Sequence, residues 1–301
     1  MSTLKNFPLI LLFLLLAACS ATPAVETLTP PGLPAVTDTV PPAQPTATTV
    51  SVPLAFTVND EGLPLDEFNA ELERYRQSQT ALGLEIDEDE ARQTVLDDLV
   101  AQVLLAQAAR ESGFNLDDQA LQERIDELTA QLGGADALSA WQQANGYDEA
   151  GFRSALKRSA ESAHMRDQIL SSIPPTIEQV HIRQILTYNE EDANSAQASL
   201  NAGTEFETLA ARYDPTTRGD IGWFPRGFLD LQAIEEAAFS LPVGAVSPII
   251  ETEIGFHIIQ VIERDSARPL AFDALLALQA KALEDWVEAR HAESEIVILI
   301  P

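Results

Sequence analysis

The chain has 301 residues, 46% of them hydrophobic, enough to bury a real core in one large or two modest domains. A formal net charge of −29 at pH 7 repels nucleic-acid phosphates and argues against a DNA or RNA partner, and it suits a soluble protein that handles sticky clients as well as a merely solvated acidic surface. Cys19 is the only cysteine, which excludes an intramolecular disulfide and a cysteine metal cluster.

Lys5 supplies a positive flank, Leu9 to Leu16 form an apolar run, and Leu16-Ala17-Ala18-Cys19 closes it. A finished membrane helix needs roughly 20 apolar residues, so this shorter run reads as a cleaved export signal over residues 1–18. The closing tetrapeptide resembles a bacterial lipobox. That likeness implies lipidation of Cys19 and a lipid-anchored, extracytoplasmic place in a bacterial envelope; an ordinary secretion signal ending in cysteine is the other reading. Residues 19–53 are dense in Pro, Thr, Ala and Val with almost no charge, a composition that builds no packed core. Extended as polyproline II at ~3.1 Å per residue, such a tether reaches on the order of 100 Å.

A first region is expected over residues 54–175. Leu54 to Val58 reads as a strand, and Leu65, Phe68, Leu72 and Tyr75 share one face of a first helix. A second helix runs from about Glu88, with Leu96, Leu99, Val100, Val103 and Leu104 inward, and stops at Gly113. Asn115 is the expected N-cap of a third, whose Leu121, Ile125, Leu128 and Leu132 make a stripe ending at Gly133-Gly134. A short helix around Trp141 and a long one from Glu149 to Leu170 follow. Pro174-Pro175 ends the helical block.

Over residues 176–266 the pattern becomes strand, helix, helix, loop, helix, strand. After Ala267-Arg268-Pro269, a last helix carries Phe272, Leu275, Leu276, Leu283, Trp286 and Val287 on one face, and Glu295 to Ile300 reads as a terminal strand. One helix and one strand cannot bury an apolar face alone, so residues 267–301 are expected to pack on the N-terminal helices. The fold class is therefore α+β, with the 176–266 unit inserted in a mainly helical domain built from both chain ends.

In the first strand of that unit, Val180, Ile182, Gln184 and Leu186 fall on one face by parity, and in the last strand His257, Ile259 and Val261 do the same. Each face holds one polar intruder, Gln184 and His257. A buried amide left unpaired costs roughly 1–3 kcal/mol, which invites pairing. Gly219-Asp220-Ile221-Gly222-Trp223-Phe224-Pro225-Arg226-Gly227, followed by Gly255-Phe256-His257-Ile258-Ile259, resembles the signature of the parvulin peptidyl-prolyl isomerases. The layout with both chain ends is similar to PrsA-type foldases and SurA-type periplasmic chaperones.

The resemblance implies a small antiparallel sheet flanked by helices, with Gln184 and His257 on neighbouring strands. It implies no cofactor or metal, and as partners unfolded, newly exported chains with X-Pro bonds. His257 matches the family's second histidine, and Val180-His181-Ile182-Arg183-Gln184-Ile185-Leu186 matches its first strand with glutamine in place of the first histidine. His181 points to the opposite face and is no substitute. A third polar position falls on Asp214, in a loop shorter than usual. Leu229 and Ile234 match the apolar positions that grip the proline ring, although both also suit plain helix-on-sheet packing. Thr252, Phe239 and Trp223 complete the implied substrate contacts, and Asp220 reads as fixing the glycine-rich turn.

Prolyl rotation breaks no covalent bond. It needs an apolar clamp and polar groups complementary to the twisted amide. A glutamine can orient His257 but cannot change protonation state, so reduced turnover is expected; a non-catalytic chaperone that kept the fold is the alternative.

Overall fold

The computed structural model describes residues 52–300. The expected signal peptide, Cys19 and all but the end of the expected tether lie outside the described residues.

Strands β1 (Leu54–Val58) and β2 (Glu61–Pro64) form a hairpin that feeds α1 (Leu65–Ala81) and α2 (Glu88–Glu111). The sequence reading has no β2, because a four-residue segment with Gly62 and Pro64 carries a turn signal; pairing with β1 orders it. Asp87 caps α2 by accepting the N–H groups of Asp89 and Glu90. The helix then buries Val95, Leu96, Leu99, Val100, Val103 and Leu104 against Phe56, Phe68 and Leu72. The cap of α3 (Asp118–Leu132) is Asp117, not Asn115. Leu116 is buried, so the chain reaches the core before the helix begins, and Asp117 is the residue placed to accept the Ala120 N–H at 2.8 Å. Helices α4 (Ala135–Ala144) and α5 (Glu149–Ser171) close a second core around Leu121, Ile125, Leu128, Leu138 and Phe152.

The next unit holds β3 (Thr176–Thr187), α6 (Glu190–Asn201), α7 (Phe206–Tyr213), β4 (Asp220–Pro225), α8 (Gln232–Ser240), β5 (Ile250–Thr252) and β6 (Gly255–Pro269). Its four strands are antiparallel in the order β4-β3-β6-β5. Residues 220–225, expected as loop, form the strand β4. Period-2 alternation gives the sheet two apolar faces. Val180, Ile182, Ile259 and Val261 pack under Ile234, Ala238 and Phe239 of α8. Ile185 and Ile258 face Phe206, Leu209 and Ala210 of α7 and Ala196 of α6.

Helix α9 (Phe272–Ala292) and strand β7 (Ile296–Ile298) return to the first unit. β7 pairs antiparallel with β1, Ile298 opposite Phe56, which gives a sheet in the order β2-β1-β7. α9 lies against α5 and α2. The apolar stripe expected on this helix is met in part: Leu275, Leu283, Trp286 and Val287 are half-buried and Trp286 packs on the first core, whereas Phe272 is 76% exposed and Leu276 48%, and Ala274 and Leu278 are the fully buried positions. Leu278 sits beside Gly227 in the loop between β4 and α8, a contact that periodicity does not register. Among the described residues no helix is long and apolar enough to cross a membrane.

Two buried ionic contacts tie α5 to the first unit. Arg158 pairs with Glu67 of α1, both side chains 9% exposed. Arg110 of α2 reaches Glu161 of α5 at 2.5 Å and also pairs with Glu61 of β2. Asp98 has no such partner. Burial, with the charges of Asp97 and Glu71, pushes its carboxyl up to about 6. Its native pKa thus lies above the unfolded value of 3.8 given for an ordinary carboxyl, so stability falls as pH rises between the two values and the loss is complete at neutral pH. Asp98→Asn is expected to stabilise the protein near pH 7.5 by about 1–2 kcal/mol after discounting for solvent, a rise of roughly 3–5 °C in Tm. Thermal melts at neutral pH and near pH 4 check this, because the gain should vanish where Asp98 carries its proton.

Candidate functional site

Row by row, the face of the sheet under α8 assembles the site. Leu186 of β3, His257 of β6 and Ile250 of β5 stand opposite one another, and Gln184 stands opposite Ile259 one row along. Alternation puts all five side chains on one face. His257 is fully buried. Its Nδ1 lies 3.0 Å from Oε1 of Gln184, and its Nε2 lies 2.8 Å from the hydroxyl of Thr252. Burial pushes the imidazole below its ordinary pKa, which keeps it uncharged at neutral pH. The two polar intruders of the sequence reading therefore meet, and Thr252 joins them.

The backbone holds this arrangement closely. Gly219 O accepts the Gln184 N–H at 2.8 Å. Ser247, almost fully buried, accepts the Ile259 N–H on its hydroxyl at 2.9 Å and donates its own N–H to Ile259 O at 2.8 Å, which pins the 242–249 loop across β6. Neither Ser247 nor Ile250 figures in the sequence expectations. A lone serine carries no pattern; Ile250 had a usable one, since it shares parity with Thr252.

Leu229, Ile234 and Phe239 belong to the same face of the sheet. Ile234 is 3% exposed and Phe239 4%, so both fill the core between α8 and the sheet and offer a ligand little surface. Phe239 meets Phe224 edge-on at 6.0 Å and lies under the Arg226 guanidinium at 4.2 Å. Leu229 is only partly buried. It is held by Glu235, whose carboxylate accepts the N–H groups of Gly227, Phe228 and Leu229.

Two expected residues are placed elsewhere. Trp223 stands opposite His181, on the face away from Gln184, with the Arg268 guanidinium 4.1 Å over its ring. Parity is the reason: Phe224 takes the core side, which sends its neighbour to the other. Asp214 caps the end of α7 and accepts the N–H groups of Thr216 and Thr217, at 3.0 and 3.1 Å, with the Thr217 hydroxyl as a further donor. Those Thr217 contacts hold its carboxyl below the usual range. It is partly exposed and bonded within its own turn, not to His257 or Gln184. Asp220 accepts the Gly222 N–H at 2.9 Å and pairs with His181 at 2.7 Å, in keeping with a turn-fixing residue. Among the described residues no three His, Cys, Asp or Glu side chains converge as a metal cage.

The site is thus an uncharged imidazole set between an amide and a hydroxyl, on a four-stranded antiparallel sheet covered by helices. Residues 169–263 match the model of the PPIC-type PPIase domain, and residues 46–156 match that of a SurA-like N-terminal domain. The chain thus carries a PPIC-type, parvulin-like domain and a SurA-like N-terminal domain.

Among similar proteins, the foldase protein PrsA of Geobacillus kaustophilus is 36% identical over 94 residues, which is 30% of this chain and 33% of that one. The chaperone SurA of Methylobacillus flagellatus is 32% identical over 137 residues, 38% of this chain and 31% of that one. The chain spans about a third of the length of these curated relatives. A crystal structure of PrsA from Bacillus cereus aligns with a TM-score of 0.42 at 19% identity, covering 77% of this chain and 82% of that one.

Proposed function

We propose that this chain is an extracytoplasmic foldase that turns X-Pro bonds in unfolded, exported polypeptides, with the helical region binding the client. The observation that carries this reading is the fully buried His257, bonded to Gln184 on one side and Thr252 on the other. Rotation about an X-Pro bond crosses a barrier of roughly 18–20 kcal/mol, and lowering it requires a fixed polar frame that suits the twisted amide better than either planar form. The partly buried Leu229 and the wall formed by Ile250 and Leu186 supply the apolar side.

The domain boundaries belong to the same proposal: 54–175 and 267–301 as one chaperone-like domain, with 176–266 inserted as the isomerase. The return of β7 to β1 supports it. The anchor is part of the same proposal: a lipid on Cys19 behind a cleaved signal over 1–18 and a tether over 19–53. The net charge of −29 supports protein clients over nucleic acid.

A prolyl-peptide isomerisation assay tests the catalytic claim. Wild type should accelerate the reaction, and His257→Ala should lower kcat/KM by about 10²-fold, the usual effect of losing one preorganised polar group. Glutamine at position 184 favours a second reading, a chaperone without turnover. That reading gains if wild type stays at the uncatalysed rate while still suppressing client aggregation.

A further inference from the structure

The amide of Gln184 has one end occupied and one end free. Oε1 is taken by Nδ1 of His257, whereas Nε2 has no acceptor among the described residues. Nor is Nε2 among the buried polar atoms left unpaired, so it opens to solvent. The direction of the hydrogen bonds is set from behind. The Ile254 N–H lies 3.3 Å from Oγ1 of Thr252, which leaves the hydroxyl proton to be given away. His257 Nε2 is its nearer acceptor, at 2.8 Å against 3.2 Å to Gly255 O. An imidazole that accepts at Nε2 and is uncharged carries its proton on Nδ1, and only the oxygen end of an amide can receive it. With the Thr252 proton given to His257, the NH₂ end of Gln184 faces outward.

We infer that the Nε2–H of Gln184 is the hydrogen-bond donor to the substrate imide, and that Thr252 and His257 are positioning residues that aim it. The inference rests on the reading of the domain as a prolyl isomerase. No bond is made or broken to either residue. As the C–N bond twists, conjugation is lost and the lone pair localises on the prolyl nitrogen, which then accepts a hydrogen bond that it accepts poorly when planar. A donor met only by the twisted form lowers the barrier without tightening ground-state binding. A carboxamide does not titrate, so this donor is present at every pH at which His257 is uncharged. The substitution of glutamine for histidine on β3 is then a change of donor, not the loss of one.

The full chain, assayed for prolyl-peptide isomerisation from about pH 5.5 to 8.5, provides the test. Wild-type kcat/KM should stay level across about pH 6.5, the ordinary histidine value. Gln184→Glu keeps the acceptor for Nδ1 and removes the donor; it should lower kcat by about 30-fold with KM little changed. Gln184→His should recover most of the activity and introduce a pH dependence near neutrality. Nitrogen-15 NMR of His257 should show the proton on Nδ1 in wild type. Turnover of Gln184→Glu within about twofold of wild type, or a proton on Nε2, would overturn the inference while leaving the isomerase reading intact. A wild type at the uncatalysed rate would overturn both.

Discussion

Gly219→Ala is expected to lower Tm by roughly 6–12 °C and to abolish most isomerase activity, the consequence of a destabilisation of about 3 kcal/mol. Gly219 has φ +74°, and a Cβ there would lie 2.0 Å from the carbonyl oxygen of Gln184 and 3.3 Å from Cβ of Ala210. The left-handed conformation alone costs about 1–2 kcal/mol for alanine. The clash adds to it, because the atom struck is backbone and cannot swing aside. Relief requires β3 to move at Gln184, which breaks the 2.8 Å bond from Gln184 N–H to Gly219 O and shifts the amide away from His257. Gly203→Ala is the control: φ is +93° and nothing lies within 4 Å of its Cβ, so only the conformational cost applies. Differential scanning calorimetry with the isomerisation assay would separate the two. Equal small losses for both variants would refute the steric account.

Arg110→Ala should be as damaging to the helical region, by about 3–5 kcal/mol. Arg110 is the bridge between Glu161, which is fully buried, and Glu61 at the hairpin edge. Its removal leaves Glu161 with only Lys157, at 3.9 Å, and Glu161 Oε1 already lacks a hydrogen-bond partner. An uncompensated carboxylate in a core costs far more than the pair contributes, so the double variant Arg110→Met, Glu161→Met should regain much of the loss. Chemical denaturation of the single and double variants reads this directly. If the single variant melts like wild type, the buried pair does not hold α5 to α2.

Much of the helical architecture was legible because amphipathic helices announce themselves in the chain. The inward residues of α2 and the stripe of α3 are local consequences of a 3.6-residue period meeting a core. So, too, was the pairing of Gln184 with His257: a single polar residue on each of two apolar strand faces is unstable unless partnered. Not every short strand was legible. β1 and β7 were, but β2, β4 and β5 exist because a neighbour supplies their hydrogen bonds, and the glycines of β2 and β4 read as turn signals. The buried face of α9 was read only in part for a related reason: Leu278 meets the Gly227 loop, some fifty residues away in sequence.

The site divides along the same line. Residue type and parity were enough to select His257 and Gln184, since chemistry and alternation are properties of the chain itself, and the family resemblance added Thr252. Which groups those side chains touch was decided by register between strands distant in sequence. That register sends Trp223 to the far face, and the packing turns Asp214 into the cap of its own turn and seals Ile234 and Phe239 between α8 and the sheet. It also orders the donors from Ile254 through Thr252 and His257 so that one end of the Gln184 amide is left free. A linear pattern states which polar groups must find partners, because burial without one is costly. Only the packed sheet assigns the partner, because hydrogen bonds depend on ångström distances that sequence spacing does not encode.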